Sequence, residues 1–379
     1  VVFADGRALA YKPRPIDMEA AFSTILDWVN GQGLRYDHRS PQVLDRDGYG
    51  WMEWIDGGPV ADAAAADAFY WRAGSLFALY RALNGSDLHS ENLIAAGACP
   101  VLIDTECLLH PPPDALADRP DLPAITMPSV LTAGLLPLYT FAESGRRAVN
   151  LGALGPSCGP DGLEETTYLN AGTDWVLRTR KASPRSTAHL PRLEDRLLDP
   201  TGHVSALAAG YRETWSLLLH RRDWLLTAAG SPFAALRRAR GRHMTRSTWN
   251  YGQLLEAARG PEGMADGITF SILFEALRRP LASLPAGYRK IAEAESRDLE
   301  RLDVPRFAFA GDDRHTGDCQ GRPLARLFAE TPFEAMAGRF RAYDQAQVDY
   351  EATLIAAALH RPPAVARPTT EAPPTPRQA

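Results

Sequence analysis

The sequence predicts an α+β protein in which an incomplete small β lobe precedes a large, mainly helical lobe carrying insertions. Three observations lead there. Two short apolar runs near the start each turn at an Asp-Gly pair, a strong short-range hairpin signal. From residue 62 onward the apolar residues recur mainly at helical spacing. Between those helices lies a stretch rich in Pro and Gly in which neither period holds.

The elements follow in order. "VVFADGRALAYK" reads as strand, Asp-Gly turn, strand, entered at Val1 as though the chain begins inside a domain. After "YKPRP" an amphipathic helix covers residues 17–30, and "VLDRDGYGWMEWI" forms a second hairpin turning at Asp47 and Gly48. The β-rich part ends near Ile55, which sets a small lobe at residues 1–57. The alanine-rich segment 61–83 carries Asp62, Asp67, Arg72 and Arg81, too many charges for a membrane span, and reads as a buried helix. A loop-rich stretch at about 110–170 follows the motif region described below. Helical patterning then returns at 206–227, 232–240, 245–258, 268–284 and 287–302, with a last pair within 324–360. These make a helical lobe of residues 58–361. The remainder, 362–379, has many prolines and almost no apolar side chains, as expected of a disordered tail or linker.

Composition narrows the setting. The chain has 379 residues and is 45% hydrophobic, ample for a real core. A net charge of −5 gives no general electrostatic case for nucleic acid or an anionic membrane. Cys99, Cys107, Cys158 and Cys319 form no CxxC and stand at no zinc-ligand spacing with histidine. Reduced thiols in a cytoplasmic setting are the expectation.

The chemistry concentrates in "NGSDLHSENLIAAGACPVLIDTECLLHP". In a protein-kinase catalytic loop the base Asp is followed five residues later by a magnesium-binding Asn, and a second metal-binding Asp comes next. Asp87 and Asn92 have that spacing. The apolar "PVLID" reads as a short strand delivering Asp104, with Glu106 on the same face by strand alternation. Asn92, Asp104 and Glu106 are hard oxygen donors of the kind magnesium takes beside nucleotide phosphates and water. Asp87 suits the role of base toward a hydroxyl nucleophile, and His89 can donate to phosphoryl oxygens. These features predict a kinase-like fold with ATP and Mg2+ as cofactors.

Such a fold needs a lysine on its third strand. The chain has three lysines against 38 arginines, so Lys12, at the end of the second predicted strand, stands out. Residues 1–3 then correspond to the small lobe's second strand and 8–12 to its third. Glu53 to Ile55, in "MEWI", fall where the small lobe hands over to the large one and are candidates for the adenine edge. Farther on, Arg242, Arg246 and Thr248 in "RHMTRSTWNY" are read as lying at a helix start, which by itself reads as a capped, solvated basic helix.

An Asp-Leu-His-x-x-Asn loop followed by Ile-Asp-x-Glu is shared by aminoglycoside and choline phosphotransferases, which leaves a small-molecule phosphotransferase open. With "YKPRPID", "YGWMEWI", "MPSVLTAGLLP", the "RxxxRxT" run and "LDVPRF", however, the chain resembles the dehydratase domain of class II (LanM-type) lanthipeptide synthetases from Tyr11 to Phe307. The resemblance implies a kinase-like fold with large helical insertions. It also implies phosphorylation of Ser and Thr in a precursor peptide by ATP, then elimination of phosphate to dehydroalanine or dehydrobutyrine. Carried over by position, Lys12 holds nucleotide phosphates, Asp87 is the phosphorylation base, His89 sits beside the transferred group, and Asn92, Asp104 and Glu106 organise magnesium. Arg242 and Thr248 match the elimination residues, with Arg246 and Tyr251 beside them.

The implied partners are the precursor peptide and a LanC-like cyclase domain or protein, whose zinc-ligand motifs this chain lacks. Cys107 stands where members commonly have Thr, and "VNLGALG" lacks the Asp and Ser usual there. A degenerate kinase fold that binds a leader peptide without catalysis is a third reading.

Overall fold

The computed structural model describes residues 1–110, 130, 131, 133–141, 148–150, 152–155, 163–169, 177–183, 186–275, 277 and 286–359. The tail expected to be disordered, and much of the loop-rich stretch, lie outside the described residues. The architecture is α+β, with several small antiparallel sheets set among helices.

Strand β1 (Leu9–Lys12) leads into helix α1 (Asp17–Asn30), and β2 (Val43–Arg46) and β3 (Tyr49–Glu53) follow as a hairpin. They pair in the order β1-β3-β2, with Leu9 opposite Glu53 and Lys12 opposite Gly50. Gly48 closes the hairpin at φ +88°, a left-handed conformation that favours glycine. Gly50 makes room for a side chain: a Cβ there would sit 2.1 Å from Cδ1 of Ile16, the buried residue before α1. The strand expected at residues 1–3 is reduced to a single bridge, Val2 to Ala8.

Helix α2 (Ala63–Ala82) is capped by Asp62, whose side chain accepts from Ala65 N at 2.7 Å. It is apolar nearly all round because it is buried nearly all round. Beyond it come the hairpins β4 (Leu93–Ala96) with β5 (Cys99–Leu102), β6 (Tyr139–Phe141) with β7 (Ala148–Asn150), β8 (Leu163–Leu169) with β9 (Leu177–Ser183), and β10 (Arg192–Leu193) with β11 (Arg196–Leu197). Helix α3 (Val204–Thr227) then packs along α2. Two glycines permit that approach. A Cβ on Gly74 would lie 1.9 Å from Leu207 O, and one on Gly210 would lie 1.9 Å from Trp71 O. Phe77, Trp215, Phe340 and Ile355 belong to the continuous core around this helix pair.

The rest comprises β12 (Arg240–His243), α4 (Thr248–Arg259), α5 (Gly267–Glu275), α6 (Ala286–Glu300), β13 (Phe307–Ala310), β14 (His315–Gly317), β15 (Pro323–Arg326), α7 (Pro332–Ala342) and α8 (Gln345–Leu359). Strands β12 to β15 form one sheet in sequence order, with Arg242 opposite Ala308. Helices α4, α5 and α6 enclose a smaller apolar cluster that includes Tyr251, Leu255, Phe274 and Leu299. No described helix is long and apolar enough to cross a membrane.

Several sequence expectations are corrected. The helix expected at 232–240 is a short 3-10 turn, Pro232–Arg237, followed by β12, because Gly241 and Arg242 pair with a strand more than sixty residues away. Residues 323–326 are the edge strand β15. Of the helix expected at 268–284, α5 covers Gly267–Glu275, and most of the remainder lies outside the described residues. Asp104 and Glu106 lie just after β5, which ends at Leu102, so strand alternation does not bring them together. A local turn does: Glu106 N donates to Asp104 Oδ1 at 3.3 Å.

Candidate phosphate and metal site

The loop between α2 and β4 is held in one shape by its own polar groups. Asp87 has φ +66°, a region that Asp tolerates better than most side chains. Its carbonyl accepts from Asn92 Nδ2 at 2.8 Å, closing the loop across the five-residue spacing seen in the sequence. Leu88, fully buried, pins the loop between these polar residues, and Ile103 N donates to Asn92 O at 3.0 Å. His89 Nδ1 accepts from Glu91 N at 3.2 Å, and its Nε2 lies 3.5 Å from Asp87 Oδ1 and 3.4 Å from Asn92 Nδ2. Burial pushes the Asp87 carboxyl above its ordinary range, against the pull of His89 and Arg242. The Cys107 thiol, buried and raised for the same reason, contacts Asp87 Oδ2 at 3.9 Å.

Asp104 faces two cations. Lys12 Nζ donates to its Oδ2 at 2.9 Å and to Ile103 O at 3.1 Å, and Arg14 Nη2 donates to its Oδ1 at 2.8 Å. Burial opposes ionisation of Asp104, but Arg14 and Lys12 outweigh it and hold the carboxyl below its usual range. Arg14 also pairs with the buried Glu19 at 2.6 Å and with Glu106 at 2.9 Å, serving three carboxylates at once.

Glu106 is a guanidinium hub. Its Oε1 accepts from Arg242 Nη1 at 3.0 Å, and its Oε2 meets Arg14 Nε at 2.9 Å and Arg306 Nη2 at 3.0 Å. The backbone reinforces the join, since Arg242 N donates to Glu106 O at 2.7 Å. Arg242 Nη2 donates in turn to Thr248 Oγ1 at 3.0 Å. Arg242 stands on β12 and Thr248 opens α4, so the pair is not aligned along one helix start as the sequence had suggested. It is assembled by a strand running into a helix, with Ser247 as the cap.

The structure therefore brings together Lys12, Asp87, His89, Asn92, Asp104, Glu106, Arg242 and Thr248. Two further candidates go elsewhere. Arg246 donates to Glu295 Oε1 at 3.0 Å and Leu277 O at 2.7 Å, and Tyr251 OH donates to the same Glu295 oxygen at 2.5 Å. Both tie α4 to α6. Glu53 pairs with Arg39 at 2.6 Å, and Ile55 is buried at the end of the small sheet. Sequence reasoning assigned no role to Arg14, Arg306 or Glu19. A signal was present for the first two, since "YKPR" and "LDVPRF" had been singled out as motifs.

With that geometry in place, the comparison with known proteins is decisive for the family. Residues 1–310 match the family described as "Domain of unknown function (DUF4135)". The chain belongs to the DUF4135 family. This DUF4135 chain is also 25% identical over 352 residues to the "Lacticin 481/lactococcin biosynthesis protein LcnDR2" of Lactococcus lactis subsp. lactis. That match covers 88% of the chain and 36% of the relative, so the chain spans about a third of the relative's length. The likeness to a lantibiotic biosynthesis protein agrees with the resemblance drawn from the motifs.

The donor set of this DUF4135 site discriminates between possible occupants. Among the described residues no three or more His, Cys, Asp or Glu side chains form a metal-holding group. Magnesium beside nucleotide phosphates needs only one or two carboxylates. Asp104 and the side-chain oxygen of Asn92 are of the right chemistry, but both oxygens of Asp104 are engaged by Lys12 and Arg14, so a metal there would have to displace at least one of those cations. Glu106 is engaged more heavily still: three guanidiniums share its two oxygens, and their charge repels a cation.

Proposed function

We propose that this chain carries out lanthipeptide biosynthesis by ATP-dependent phosphorylation of Ser and Thr in a ribosomal precursor peptide, followed by elimination of phosphate. The observation that carries the reading is the junction at Arg242. One guanidinium bridges Glu106, three residues from the end of the kinase-like segment 87–109, and Thr248, which has no place in a kinase motif. A small-molecule phosphotransferase has no use for that junction. In this reading residues 1–57 are a partial kinase-like small lobe and 58–361 the helical lobe.

Asn92 and Asp104 would hold magnesium, which when bound neutralises phosphate charge and orients the transferred group. Lys12 would hold nucleotide phosphates, shifting from Asp104 toward them, and Glu53 and Ile55 would border the adenine. Asp87 accepts the proton of the attacking hydroxyl as the peptide oxygen bonds to the γ-phosphorus and the bond to ADP breaks, its electron pair leaving on ADP. Its raised pKa brings it nearer the range useful in a base. His89 donates to phosphoryl oxygen. In the second step the Cα proton passes to a solvent-derived base, the Cα–H electron pair becomes the new double bond, and the Cβ–O pair leaves on phosphate. Arg242 and Thr248 donate to that departing oxygen charge. A cyclase domain or protein would complete the rings.

The test is mass spectrometry of a precursor peptide co-expressed with the full-length synthetase carrying Arg242→Ala or Thr248→Ala. Losing one such donor costs roughly two to three orders of magnitude in rate, so phosphopeptide should replace dehydrated peptide. Fully dehydrated product from both variants refutes the assignment.

A further inference from the structure

Three arginines share Glu106, and they are not equally satisfied. Arg14 has Glu19 and Asp104 as well, and Arg242 has the hydroxyl of Thr248. Arg306 has Glu106 for its Nη2, while its Nε is buried without a hydrogen-bond partner. A guanidinium carries five N–H donors in a planar fork, and leaving one buried and unpaired is costly. Arg242 and Arg306 thus lean on one carboxylate from opposite oxygens, two positive charges on a single negative one. Neither is wholly shielded, with side chains 18% and 22% exposed. Two buried hydroxyls of the adjoining segments, Ser86 Oγ and Thr105 Oγ1, are likewise without partners. Arg242 and Arg306 together carry one more positive charge than the Glu106 they share, and a buried guanidinium N–H is left over. That combination suits a second anion.

We infer that Arg306 is a phosphate-binding residue that forms, with Arg242, a two-guanidinium clamp on the phosphate of the phosphorylated peptide. Glu106 is the acceptor that keeps both forks in place between turnovers. The chemistry favours a phosphate monoester over a carboxylate, because it offers three oxygens to two forks. Arg306 is delivered by the segment entering β13, which pairs with β12, so the sheet register sets the spacing of the two forks.

This inference rests on the proposed dehydration, and the experiment separates the two. Binding of inorganic phosphate and of a synthetic phosphoserine peptide to the full chain is measured by titration calorimetry. It is compared with Arg306→Gln, Arg306→Lys and the surface control Arg212→Gln, with a thermal melt for each. Arg306→Gln should weaken binding of both probes by about ten- to a hundredfold, the value of one or two hydrogen bonds to a charged group. Arg306→Lys should recover part of that loss, and Arg212→Gln should change nothing. Equal affinity in wild type and Arg306→Gln overturns the clamp, as does a loss that tracks a lowered melt and is not eased by lysine. In the full-length synthetase, Arg306→Gln should accumulate phosphopeptide. Unchanged dehydration by that variant overturns the clamp and leaves the function standing. Phosphate binding that depends on Arg306 in a synthetase that neither phosphorylates nor dehydrates leaves the clamp standing as an anion site and refutes the function.

Discussion

Replacing Glu106 with Gln removes the charge on which three guanidiniums converge while keeping the side chain's size. Removing one partner from a buried ion pair costs about 3–5 kcal/mol, mostly because the remaining charge is stranded. Here the stranded charges are Arg14, Arg242 and Arg306, with side chains 12%, 18% and 22% exposed, so water recovers part of their solvation. Arg14 also keeps Glu19 and Asp104. Discounting for both, the expected loss is about 2–4 kcal/mol, a large share of the 5–15 kcal/mol typical of a folded protein. Urea unfolding monitored by tryptophan fluorescence reads it directly. The double variant Glu106→Gln with Arg306→Gln should lose less than the sum of the single losses, with a coupling of about 0.5–3 kcal/mol, because the second change removes a stranded charge. A loss below about 0.5 kcal/mol for Glu106→Gln would show that the arginines are held by something other than this carboxylate.

Gly74→Ala should destabilise by about 1–3 kcal/mol or more, since its new methyl meets the backbone of α3; Gly338→Ala, with open space around it, should stabilise by up to about 1 kcal/mol. Equal urea midpoints for the two would refute the close helix crossing. His38 and His243 are buried and held neutral, with pKa values lowered to about 4 and about 3 by burial first, then by Arg72 and His110 respectively. A depressed histidine contributes its full stability above the unfolded pKa near 6.5 and loses it as pH falls toward the folded value, about 1.4 kcal/mol per pH unit for each group. Unfolding midpoints should therefore drop between pH 7 and 5, and a flat profile there would contradict the burial. Under the proposed function, Asp104→Asn in the full-length synthetase should abolish phosphoryl transfer to a co-expressed precursor peptide, read by mass spectrometry, because one carboxylate holds Lys12 and Arg14 and would also serve the metal. Retained phosphopeptide or dehydrated peptide would remove Asp104 from the site.

The sequence alone determined those elements whose local pattern no distant partner overrides. Helix α1 spans Asp17–Asn30 as the apolar period had it, and the hairpin turns at Asp47 and Gly48 because an Asp-Gly pair accepts the required backbone conformation cheaply. Asp87 and Asn92 were legible as a unit because their five-residue spacing closes a single loop through one side-chain to backbone bond. Only the tertiary structure decided how Arg242 is used. By sequence it lies at a helix start, yet β12 becomes a strand by pairing with β13, and no local preference of four residues competes with a full set of ladder bonds. The hub at Glu106 was equally hidden, since its partners come from positions 14, 242 and 306. Such convergence has no period and no spacing to read. It exists once the sheet register and the packing of α1 against β12 bring three distant backbones within reach of one carboxylate.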